Sequence, residues 1–168
     1  MRWLYLLTVF ACPGCDRAFA DAPLPSPSPM TVCNAPNTHC ATSDPASRKT
    51  TLIGRASGEA LWVIDGYNRY FDVSNDGRTI LLRPDDANLA PVNASREHVL
   101  FIIVRDGRPI QSVKVGELFQ SPAELRRTTS HLSWGHLEKI DAKDNAVFLL
   151  VDGRRVSYSL ITGMSTSH

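Results

Sequence analysis

The part of this chain that reads as folded contains no cysteine: the four present are Cys12, Cys15, Cys33 and Cys40. A thiol nucleophile or a cysteine-ligated zinc site is thereby excluded from everything beyond Cys40. Excess charge is missing too, with 18 basic residues against 17 acidic. Taking away Arg2, Arg17 and Asp16 at the start leaves the two signs equal. A nucleic-acid binder needs a basic surplus to neutralise phosphates, so no nucleic-acid partner is expected. No apolar run approaches the roughly 20 residues of a membrane-spanning helix. No Gly-x-Ser-x-Gly elbow is present, and the residue pattern calls for no cofactor and no metal.

What is present begins with an export signal. Arg2 supplies the basic start and Trp3 to Ala11 the apolar segment; Ala18-Phe19-Ala20 before Asp21 is a small-residue cleavage site. Residues 1–20 are therefore expected to be a signal peptide. An alternative ending lies inside it: Val9-Phe10-Ala11-Cys12 is similar to the lipobox of bacterial lipoproteins, in which Cys12 would be acylated. The expected location is periplasmic or extracellular in the first case, and membrane-tethered by lipid in the second. Cys12-Pro13-Gly14-Cys15 has redox spacing, but it adjoins the apolar segment without the strand-then-helix setting that activates such a thiol.

Residues 21–47 are rich in proline and serine, starting with Pro23-Leu24-Pro25-Ser26-Pro27-Ser28-Pro29. Such composition favours extended chain with little to bury, so a flexible linker is expected. Cys33 and Cys40 within it would meet an oxidising compartment and form a local disulfide clip, closing a short loop at about 2.5 kcal/mol. The folded domain is expected over 48–164, with 165–168 a disordered tail.

Three Asp-Gly-Arg turns punctuate that domain: Asp76-Gly77, Asp106-Gly107 and Asp152-Gly153. Asp-Gly suits the two-residue type I′ hairpin, in which both central residues take positive φ. That register predicts Val73 opposite Ile80, Phe71 opposite Leu82, Ile103 opposite Ile110, Leu149 opposite Val156 and Val147 opposite Tyr158. Val99–Val104 and Ala146–Val151 are apolar on both faces and should be central. Ala60–Ile64 reads as an earlier strand. Ser121-Pro122-Ala123-Glu124 is a capping box that predicts a short helix, with Leu118, Phe119 and Leu125 inward. The expected fold class is mainly β, or β-rich α+β: antiparallel hairpins in a curved sheet, small barrel or sandwich, with one or two short helices. The hairpins resemble those of propeller blades, but a domain of about 115 residues is too short to close a propeller.

Reactive side chains concentrate in Ser130-His131-Leu132-Ser133-Trp134-Gly135-His136. His131 and His136 are five apart, so they share neither a helix face nor a strand face. With Asp141 they would form the site of a small hydrolase or metal-dependent enzyme, the alternative to a binding role. Tyr70 shares a strand face with Asn68 and Asp72, and together with Ser130, His131, Trp134 and His136 it makes up the candidate binding set. Tyr70 and Trp134 would serve a cell-wall glycan-binding domain.

Arg127-Thr128-Thr129-Ser130-His131, Trp134-Gly135, the strand Val147–Val151 and Asp152-Gly153-Arg154 resemble the C-terminal half of a group of exported or lipoprotein-like envelope proteins of Gram-negative bacteria. The likeness covers about 40 C-terminal residues. It implies an exported bacterial protein and no particular activity. The expectation is then a non-catalytic envelope module that binds another envelope protein, as an inhibitor, immunity or accessory factor.

Overall fold

The computed structural model describes residues 25–84 and 87–166, so the leader and Cys12 lie outside the described residues. Strands β1 (Met30–Cys33), β2 (His39–Asp44), β3 (Lys49–Gly54) and β4 (Ala60–Asp65) form an antiparallel meander, the first sheet. Next come β5 (Tyr70–Val73), β6 (Thr79–Arg83), the short β7 (Leu89–Pro91), β8 (Val99–Arg105) and β9 (Arg108–Lys114). The second sheet has the order β5-β6-β8-β9. After a single helical turn, α1 (Val115–Leu118), and a 3-10 turn at Pro122–Glu124, β10 (Arg126–Arg127) and β11 (His131–Ser133) join β7 in a third, small sheet. The fourth sheet is again a meander, of β12 (Gly135–Ile140), β13 (Asn145–Leu150), β14 (Arg155–Ser159) and β15 (Ser165–Thr166). The protein is mainly β, as its patterning predicts, and no sheet closes into a barrel.

Two cores hold the sheets together, and the second sheet feeds both. Along β6, Ile80 and Leu82 enter a core with Phe71, Val73 and Val104 of the same sheet and with Ala41 and Leu52 of the first. Leu81 points the other way, joining Phe101, Ile103 and Val113 against Ala146, Phe148, Leu150 and Tyr158 of the fourth sheet. Strand alternation alone produces this split. The small sheet adds Ala90 and Leu132 to the larger core, and the helical turns add Val115, Leu118, Phe119 and Leu125. Phe101 stacks on Phe148 at 4.5 Å between centroids and meets Tyr158 edge-on at 5.2 Å. Burying each such side chain stabilises the fold by ~1.5–3 kcal/mol.

Two expectations need correcting, those of the linker and of the tail. Residues 30–44 belong to the folded domain and are not linker. Val32 and Ala41 pack into the first core, and Asn34 organises the turn between them, its Oδ1 accepting the N–H groups of Thr38 (2.9 Å) and His39 (3.1 Å). Cys33 and Cys40 do form a disulfide, but across the paired strands β1 and β2. At the other end, Ser165 pairs with Tyr158 and Thr166 with Ser157, so the tail expected to be disordered begins with a strand.

The three Asp-Gly turns also differ from one another. Asp106-Gly107 is the type I′ turn, with φ of 51° and 76°, but a bulge then slips the register, so Ile103 meets Gln111 and not Ile110. Around Asp76-Gly77 the predicted pairs Val73–Ile80 and Phe71–Leu82 form, yet the loop is longer: Ser74 N–H bonds to Thr79 and Gly77 N–H to Ser74. A Cβ on Gly77 would lie 2.1 Å from the His39 ring, so only glycine fits there. At Asp152-Gly153 the loop takes three residues, Leu150 N–H bonding to Arg154, and Phe148 rather than Leu149 faces Val156. The extra residue moves every predicted pair by one, so Val147 opposes Ser157 and not Tyr158.

The β5–β6 turn joins the first, second and fourth sheets. Asn34 donates to the Asn75 carbonyl (3.0 Å), while Asn75 donates its amide to the Asp141 carbonyl (2.8 Å). The buried Asp144 carboxylate accepts the N–H groups of Asn75 (2.5 Å) and Asp76 (3.1 Å). Asp144→Ala strands both donors and is expected to cost about 2–4 kcal/mol in urea unfolding. Asp144→Asn, which keeps one acceptor and tolerates the positive φ of this position, should recover at least half of that loss.

Candidate functional site

The structure separates the residues singled out in the sequence. Trp134 is 1% exposed, packed between Phe101 (6.1 Å) and Phe148 (5.5 Å), and offers no surface to a ligand. It links β11 to β12 and is placed by the apolar packing around it, so its expected binding role is withdrawn. Tyr70 is half-buried on β5, beside Arg83 across the ladder. With Trp134 in the core, the two aromatic rings form no paired glycan platform.

Ser130 Oγ lies 2.7 Å from His131 Nδ1, in a tight turn closed by Thr128 N–H to the His131 carbonyl (2.9 Å). His136 stands exposed on β12, in a different sheet from His131. Asp141 lies at the far end of β12 from His136, about 16 Å away at strand rise. Its carboxylate is already used as a turn lock, accepting the N–H groups of Lys143 (2.8 Å) and Asn145 (2.9 Å). His131, His136 and Asp141 therefore do not converge. Among the described residues no three His, Cys, Asp or Glu side chains stand together as a metal site.

A cleft of about 380 Å3 opens where β1, β5 and β12 come together. Val32, Val73, Leu137 and Ile140 give it apolar walls, with Asp72, Glu138 and Lys139 among them. Both carboxylates are occupied, Asp72 by Arg83 and Glu138 by Arg155 (2.7 Å). Burial pushes the Asp72 carboxyl up, against the pull of Arg83. The hydrogen bond from Arg155 holds Glu138 below the usual carboxylate range. Such a cleft accommodates a side chain or loop, but has no free acid-base pair at its wall.

The other open surface is the outer face of the first sheet. Leu61 is 49% exposed and Val63 44%, on the side of β4 opposite Trp62 and Ile64, which lean on the first core. Thr42 and Thr51 continue this face in register with Val63, and the Cys33–Cys40 bridge lies at its far edge. The Ala60–Ile64 run is legible in the sequence, but an unbroken apolar run does not say which of its faces stays wet.

Asp76 and Asp141 are among the carboxylates that tie the fold to pH. Burial pushes the Asp76 carboxyl up, but the Ser74 hydroxyl, the Arg78 N–H and Arg105 together hold it below the ordinary aspartate range. Asp141 is also held low, chiefly by the Asn145 N–H. A depressed carboxyl stabilises the fold above its unfolded pKa and loses that contribution as pH falls through the folded value. The urea midpoint is expected to drop as pH falls below about 4, and Asp141→Asn to flatten the slope there.

No protein-family model matches the chain, and no curated protein matches it. Among solved structures it is similar to one titled "Structure of Dos1 propeller", with a TM-score of 0.48 and 7% identity over 82% of this chain and 31% of that one. The chain thus spans about a third of that structure's length. A likeness at this level carries no functional information. No helix among the described residues is long and apolar enough to cross a membrane.

His131→Ala/His136→Ala should leave stability within about 0.5 kcal/mol, as both rings are outside the core. Trp134→Ala should cost about 3–5 kcal/mol in the same unfolding assay.

Proposed function

We propose that this chain is an exported envelope protein acting as a non-catalytic protein-binding module, as an inhibitor, immunity or accessory factor. The observation that carries the reading is the exposed apolar pair Leu61 and Val63 on the outer face of the first sheet. Protein-binding patches expose apolar groups of this kind inside a polar rim. The acidic groups near the cleft and turns are committed to arginines or backbone N–H groups, which supports recognition over proton transfer. The Cys33–Cys40 bridge fits an oxidising compartment, in agreement with export. Delivery is by a cleaved leader ending at Ala20, or by a lipid on Cys12 that tethers the domain to a membrane.

The test is chemical cross-linking in intact envelopes, followed by affinity capture of the chain. A partner recovered in stoichiometric amount is the expected result, with His131→Ala/His136→Ala capturing it equally. Recovery of the chain alone would end the reading.

A further inference from the structure

Strand β4 is less guarded than the other long sheet edges. Among the described residues only three edge strands, β4, β9 and β12, exceed four residues. β9 carries Pro109 between Arg108 and a bulge, and β12 carries His136, Glu138 and Lys139 with a bulge. Proline, charge and bulges are the standard means of preventing a new strand from pairing. β4 reads Ala-Leu-Trp-Val-Ile-Asp, has no proline or lysine, and its single bulge falls near its start at Leu61, between Ala60 opposite Ile53 and Trp62 opposite Leu52.

The free backbone groups can be assigned. Gly66 N–H bonds to the Arg48 carbonyl (2.7 Å), one step past the end of β4. Antiparallel alternation then turns Trp62 and Ile64 toward β3, and the N–H and C=O of Val63 and Asp65 toward the open edge. The strip has acid at both ends: Glu59 and Asp65 are exposed and in no ion pair, although Lys49 faces Asp65 across the ladder.

We propose that this edge takes up an extended segment of a partner protein as a fifth strand of the first sheet. The segment carries apolar residues at alternate positions, to lie beside Leu61 and Val63, and a basic residue at each end, to meet Glu59 and Asp65. A second copy of this chain is the poorer fit. Pairing β4 with itself in antiparallel fashion brings the Asp65 end of each copy beside the Glu59 end of the other, and like charges facing each other across a ladder are destabilising. The proposal rests on the binding-module reading and gives that module a site and a partner class; backbone ladder bonds supply affinity and the alternate side chains specificity.

The full chain is titrated with the peptide Lys-Thr-Val-Thr-Val-Thr-Lys and with its Glu-flanked counterpart, following amide exchange by NMR. The Lys-flanked peptide is expected to slow exchange at Val63 and Asp65 and to bind at least about tenfold more tightly than the Glu-flanked one. Val63→Pro removes an N–H that the first sheet does not use, so it should weaken binding by about tenfold or more while leaving the melting temperature unchanged. Leu61→Lys is the second variant, with the same expectation. Unprotected Val63 and Asp65 amides at millimolar peptide, equal affinity for the two peptides, or full binding by both variants would overturn the proposal. An envelope partner captured equally by wild type and Val63→Pro would remove the edge but leave the module reading standing. If wild type captures no partner, that reading falls, and the peptide titration still decides the edge.

Discussion

The second sheet is buried on both faces, and the arrangement of the whole molecule follows from that. An antiparallel sheet more often keeps one face wet. Here Ile80 and Leu82 require a cover on one side while Leu81, Phe101 and Ile103 require one on the other. The first and fourth sheets are those covers. Among the described residues neither has a second partner: the outer face of the first sheet stays open, and the outer side of the fourth carries the Glu138–Arg155 pair. A chain built this way has β6 and β8 as the central strands of its middle sheet, with β4 and β15 at sheet edges.

Polar groups then fix how the covers sit. Apolar contact is tolerant of small slides, whereas a buried N–H without an acceptor is not. The β5–β6 turn uses this: Asn75 reaches Asn34 on one side and Asp141 and Asp144 on the other. Thr79 adds a bond to the Leu160 carbonyl (2.8 Å), and Arg105 ties Thr79 and Asp76 together. Because these bonds converge on one turn, the first strands of three sheets, β1, β5 and β12, are brought to a common cleft.

Fold class, the central strands and the capping box at Ser121 were legible because each rests on local rules: alternation, two-faced apolar runs, and an N-cap that Glu124 completes (2.9 Å to the Ser121 N–H). Register was only partly legible. An Asp-Gly pair permits a tight turn without requiring one, and whether the loop holds two, three or four residues depends on the next bulge and on what each face must bury. The strands at 30–44 escaped notice for a different reason. Their composition is that of a spacer, and Val32 and Ala41 are small contributions to a core assembled mostly from residues 52–104. The candidate site suffered most, since Trp134 sits amid polar, reactive neighbours in sequence and at the centre of an aromatic cluster in space.

Distance along the chain, then, is a poor guide to where reactive side chains gather here. Backbone groups within a meander are satisfied by the neighbouring strands, so recognition through the main chain is possible only at the margins. Evolution of a soluble β-protein selects against open margins, because they recruit wrong partners as readily as right ones. Length, charge and proline guard β9, β12 and the two-residue strands β10 and β15 in the ways such selection produces. β4 kept six residues, five of them apolar, with Leu61 and Val63 turned to solvent. A strand of that composition is a liability to a protein that never pairs it, and the acids at its two ends restrict what can pair without closing the edge.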